Sequence, residues 1–196
     1  MGFEMKSFKI TKRLFFFILI LFSFLFGCTI NQLRQTYIYV CGNEGNFAKF
    51  WKISDNGTQT GINLTGGTNT AIAQEIKVYN GVVYICGKDG NYAKWWKIGS
   101  DGTPTEHVLT DGNNAAEAYS IFVHNEDVYI CGYEGNYAKW WKVTSDGTTT
   151  ENSLTDGTND AKASSILVYE DNVYICGWEK VSSLYNARLW KTPKGG

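Results

Sequence analysis

Positive charge in excess, proline and histidine are all scarce here: 196 residues carry a formal net charge of -1, two prolines and two histidines. Without a basic surplus nothing suggests a face to neutralise a phosphate backbone, and nothing in the balance calls for nucleic acid as a partner. Compact metal-ligand spacing is lacking too. The five cysteines stand far apart, and the tight Asp-x-Asp run of a calcium loop is absent, so no metal or other cofactor is expected. Charged residues reach only 19%, and threonine, asparagine and glycine supply much of the remaining polarity. What is plentiful is glycine, at 21 residues, and aromatics, at 15%. That composition suits many short strands joined by tight turns. The length suffices for one domain with a sizeable core.

One five-residue stretch organises the chain. Val128-Tyr129-Ile130-Cys131-Gly132 returns as Val83-Tyr84-Ile85-Cys86-Gly87 and Val173-Tyr174-Ile175-Cys176-Gly177, and Tyr39-Val40-Cys41-Gly42 is a varied first copy. The cysteines at 41, 86, 131 and 176 are 45 residues apart each time. A fixed period of this length means one supersecondary unit copied in tandem. In the third copy the apolar stretch Ala118 to His124 and the stretches Val128 to Gly132, Tyr137 to Thr144 and Thr148 to Leu154 predict four strands. Turn signals at 125–127, 133–136 and 145–147 separate them, and the loop 155–159 leads into the next copy.

The expected fold is all-β and β-propeller-like, with about four 45-residue, four-stranded repeats near 37–70, 71–115, 116–160 and 161–196. The first copy lacks its opening strand and the last stops before its fourth, which leaves about fourteen strands. An open arc, closure by a second copy of the chain, and truncation of a longer array all fit that count. Unpaired edge strands invite self-association.

The order of an apolar strand, a turn and an aliphatic-Tyr strand ending in Gly resembles the kelch-type blade, without its double-glycine and arginine hallmarks. Each copy also carries an Ala-x-aromatic-Trp-Lys strand: Ala48 to Lys52, Ala93 to Lys97 and Ala138 to Lys142, with Ala187 to Lys191 after a four-residue insertion. This pattern is similar to that of bacterial β-propeller repeat lipoproteins. The resemblance implies a fold and not an activity.

The first thirty residues give the cellular address. Lys6, Lys9, Lys12 and Arg13 precede an apolar run from Leu14 to Phe26 broken only by Ser23, the pattern of a secretory signal. The run closes on Leu25-Phe26-Gly27-Cys28, which resembles the lipobox of bacterial lipoproteins. That resemblance implies a signal peptide over 1–27, lipidation of Cys28, a tether to residue 36 and a repeat domain over 37–196. An uncleaved N-terminal anchor is the alternative. Either places the repeats at the cell envelope, on the periplasmic or surface side of a bacterial membrane, and acyl chains hold such a protein firmly.

Candidate binding residues cluster on one rim. Glu44, Asp89, Glu134 and Glu179 recur in the turn after the second strand, with Asn46, Asn91 and Asn136 beside them. The loops between copies add Asp111, Asn113, Asp156 and Asn159. Turn chemistry alone also accounts for these residue types. The four repeat cysteines read as buried apolar residues, too far apart to pair. Trp51, Trp96, Trp141 and Trp190 share one register and are expected between blades, with lysine stems packed over them. Glu75, Ser120 and Ser165 align on the innermost strands and make no charged ring.

Acid–base catalysis requires residues that break the repeat symmetry at one converging point. His124 takes the place held by Tyr79 and Tyr169, and His107 that of Ile62 and Asn152. No catalytic set is expected. The function expected is a lipid-anchored binding module presenting propeller loops to a protein or glycan. The alternative is a structural or truncated paralogue that works only as an oligomer, and a propeller enzyme is disfavoured.

Overall fold

The computed structural model describes residues 36–195. The expected signal segment, with Cys28, lies outside the described residues. Among the described residues fourteen strands form four antiparallel sheets. The first sheet holds β1 (Tyr37–Glu44), β2 (Phe47–Ser54) and β3 (Gln59–Asn63). The second runs β4 (Ala71–Tyr79), β5 (Val82–Asp89), β6 (Tyr92–Ile98) and β7 (Pro104–Val108). The third repeats it with β8 (Ala116–His124), β9 (Asp127–Glu134), β10 (Tyr137–Val143) and β11 (Thr149–Ser153). The last holds β12 (Ala161–Tyr169), β13 (Asn172–Val181) and β14 (Leu184–Pro193). The sheets stack in chain order, with β4, β8 and β12 lying side by side on the inside.

The central strands read as continuous apolar runs because both faces of an interior sheet are covered. In β5, Val83 and Ile85 enter the core shared with the first sheet, while Tyr84 and Cys86 enter the core shared with the third. Alternation along the strand sends neighbours to opposite faces. The same rule separates the adjacent tryptophans: Trp96 packs against the first sheet and Trp95 against the third. Trp96 and Trp141 are fully buried, and burial of one such side chain contributes about 2–3 kcal/mol.

The glycine that ends the five-residue motif has a specific cause. Each inner strand bulges, between Ala73 and Glu75, Ala118 and Ser120, and Ala163 and Ser165. The bulge drives a carbonyl onto the neighbouring strand, so that a Cβ at Gly132 would stand 1.9 Å from the Glu117 oxygen. Gly87 and Gly177 face Ile72 and Lys162 in the same way.

The ends of the array depart from the interior. Among the described residues the four cysteines are free, as expected, but only Cys86 and Cys131 are buried. Cys41 is half-buried and Cys176 exposed, because among the described residues no further sheet covers the last one. Trp51 and Trp190 are likewise only half-buried. The lysine stems lie over tyrosines across the ladder rather than over the tryptophans of their own register: Lys97 over Tyr84, Lys142 over Tyr129 and Lys191 over Tyr174. The insertion at 181–184 lengthens the β13–β14 hairpin, with Ser182 and Ser183 at φ 49° and 70° making its tip.

Candidate functional site

The rim residues are tied into the scaffold by a motif repeated from copy to copy. Thr65, Thr110 and Thr155 each accept a hydrogen bond at Oγ1 from the backbone N–H of Ala48, Ala93 or Ala138, at 3.1–3.2 Å. The ring that opens the third strand then lies on the loop glycine: a Cβ at Gly112 would meet Tyr92 at 2.3 Å, and at Gly157 would meet Tyr137 at 2.2 Å. Asp111 and Asp156 accept the N–H of Asn113 and Thr158 at 2.9 Å, closing Asx turns.

The turn carboxylates belong to lysine clamps. Lys94 reaches Asp89 at 3.0 Å and Glu106 at 2.8 Å, and Lys139 reaches Glu134 and Glu151, both at 2.5 Å. Glu151 also accepts from the Trp141 indole at 3.2 Å, as Glu106 does from Trp96 at 3.4 Å. These carboxylates hold both lysine ammoniums above the ordinary range against the opposing effect of burial. Lys49 pairs with Glu44 alone, because Gly61 stands where the outer-strand glutamate would be. Glu179 takes Arg188 and the Asn159 amide. Asn91 and Asn136 each donate to a loop carbonyl at 3.5 Å, and Asn46 is exposed. Glu134 and Asn136 line a shallow cleft of about 300 Å³ with Tyr137 and Lys139.

A second group lies at the inner edge of this rim, where the repeat symmetry breaks. The inner strands open on Ala71-Ile72-Ala73, Ala116-Glu117-Ala118 and Ala161-Lys162-Ala163, and the middle residue changes in every copy. Glu117 is buried, 5% exposed, and is held by Lys88 at 3.2 Å and by the Gln74 amide. One sheet further on, the Lys162 ammonium sits 4.0 Å from the Tyr133 ring centroid and 5.9 and 5.8 Å from those of Tyr119 and Trp178. It also donates to the Tyr119 hydroxyl at 3.4 Å. The two tyrosine rings lie 5.7 Å apart, and Trp178 meets Tyr185 edge-on at 4.8 Å. Burial, then the charge of Glu117, pushes both tyrosine hydroxyls above their usual range, so they remain protonated donors. Along the same strands Glu75 accepts from Ser120 Oγ and the Ile121 N–H, both at 2.7 Å, and Ser120 in turn accepts from the Ile166 N–H at 3.3 Å.

This inner group, Gln74, Lys88, Glu117, Tyr119, Tyr133, Lys162 and Trp178, is missed when the copies are compared only at the five-residue motif. The signal lay in the columns beside it, where Lys88, Tyr133 and Trp178 follow the invariant glycine. No group of acidic, histidine or cysteine side chains fit to hold a metal occurs among the described residues.

No family model matches the chain, and no curated protein is found similar to it. A solved structure of a streptogramin B lyase, a β-propeller protein, is similar in fold, with a TM-score of 0.56 at 17% identity over 79% of this chain and 51% of that one. The chain therefore spans about half the length of the structure it resembles. With the four stacked sheets, that likeness defines an all-β, propeller-like repeat protein.

Proposed function

We propose that this is a binding module of the bacterial cell envelope, lipid-anchored at Cys28, which receives a glycan or a protein side chain at the mouth of its inner strands. The observation that carries the reading is the convergence of Tyr119, Tyr133, Lys162 and Trp178, half-buried side chains from two sheets at one point where the copies differ. Aromatic faces with a charged donor between them suit the apolar face and hydroxyls of a sugar, or the ring of an aromatic side chain. The turn carboxylates and loop amides of the rim frame this mouth and keep its loops in place.

Binding is favoured over turnover by the state of Glu117. A general base needs a carboxylate free to take a proton, and this one is neutralised by Lys88 and bonded by Gln74. Titrating the protein with oligosaccharides and aromatic peptides, with tryptophan fluorescence as the readout, tests the reading. A saturable change lost in Lys162→Ala and Tyr133→Ala supports it, and binding unaffected by both substitutions rejects it. Labelled palmitate entering the wild type but not Cys28→Ser tests the anchor.

A further inference from the structure

The two ends of the array expose the two halves of its own repeating interface. Between interior sheets, the leading face of one, built on Tyr84, Cys86 and Trp95, packs against the trailing face of the next, built on Val128, Ile130 and Trp141. Among the described residues no sheet covers the leading face of β13–β14: Cys176 stands in the place of Cys86, and Leu189, 74% exposed, in that of Trp95. Leu167 and Tyr169 on β12 extend the same face, at 47% and 61% exposure. At the start, no described residue covers the trailing face of β1–β2. Ile38 and Val40, 62% and 44% exposed, occupy the places of Val128 and Ile130, and half-buried Trp51 that of Trp141.

We propose that these faces dock on each other between two copies of the chain, head to tail, closing a ring of eight sheets. The register argues for a second copy as occupant: each open face already has its complement elsewhere on the same chain, in the geometry that the interior sheets use. Within one chain the two do not meet, since packing runs between successive sheets and both faces remain exposed. Closure selects two copies. Propellers hold about 4–8 blades, so two chains of four sheets reach the upper end and a third would exceed it. A heterologous contact that did not close would continue as a filament. The first sheet brings β1 and β2 to the contact and no inner strand, so each end-to-end contact is smaller than an interior one, and the closed ring is held by two of them.

The test uses the full chain purified in mild detergent, with native mass spectrometry for the number of chains and maleimide labelling of Cys176. The expected result is a two-chain particle in which Cys176 is protected, and dilution to single chains exposes it. Leu189→Asp and Val40→Asp, both at exposed positions that leave the melt of the diluted single chain unchanged, each reduce the two-chain fraction at least tenfold. Mixed together, the two variants regain a two-chain particle through the one contact still intact, which a same-face dimer would not do. A single-chain particle with freely reactive Cys176, a filament, or a two-chain particle indifferent to both substitutions would overturn the proposal.

Discussion

A methyl group added at Gly132 would stand 1.9 Å from the Glu117 carbonyl oxygen, whereas at Gly42 it would meet only the Trp51 ring edge at 3.7 Å. Both glycines end the same motif. The difference is the inner strand: Gly132 faces the bulge of β8, and Gly42 has no inner strand beside it. Gly132→Ala must therefore push β8 from β9 and open the core around Ile121, while Gly42→Ala is accommodated. The expected cost is about 3 kcal/mol or more for Gly132→Ala and under about 1 kcal/mol for Gly42→Ala. Urea midpoints of the two variants decide it, and equal losses would mean that the bulge does not set the requirement.

At the scale of the strand, the recurring turn carboxylates serve the lysine beneath them. Glu134 and Lys139 have side chains only 11% exposed, whereas the first-copy pair leaves Glu44 at 67%. Lys139→Met strands a buried carboxylate and is expected to cost about 2–4 kcal/mol, while Lys49→Met costs about 0–1 kcal/mol. Equal effects would mean that burial does not grade the clamps. The outer strand carries a pH effect of the opposite origin. His107 stacks on Trp95 at 4.0 Å, and burial, then Lys97, holds its imidazole below the ordinary value. The folded state thus prefers the neutral ring. Nothing is lost above about pH 6.5, and as pH falls below that value the unfolded chain takes the proton first and stability drops. His107→Phe keeps the stack and should flatten the decline between pH 7 and 5.5, and an unchanged slope would assign it to other groups. The strands themselves were legible from period and turn chemistry, including the missing first and fourth strands at the two ends. The clamps were not: Lys94 meets Glu106 only across the register of β6 with β7, a pairing that no local pattern prints. The inner mouth escaped for the same reason, because Lys162 meets Tyr133 across two sheets.

Over the whole molecule, a stack in which each sheet touches only its neighbours divides its stability unevenly. Its interior sheets are held on both faces and its terminal ones on one, so opening should begin at the ends. Cys86, Cys131, Trp96 and Trp141 mark the interior, while Cys176, Leu189, Ile38 and Val40 mark what is left uncovered. The near-identity of the copies concealed this, since one motif is buried or exposed according to its place in the array. Amide hydrogen exchange should be slowest in β5, β6, β9 and β10 and fastest in β3 and β14. Raising the protein concentration should slow exchange in β1, β13 and β14 and leave β9 unchanged, because end-to-end docking covers only the outer faces. Four sheets exchanging at one common rate, independent of concentration, would instead describe a single cooperative block whose open ends stay open. A gradient that persists at every concentration would keep the one-dimensional stack and remove the second copy from it.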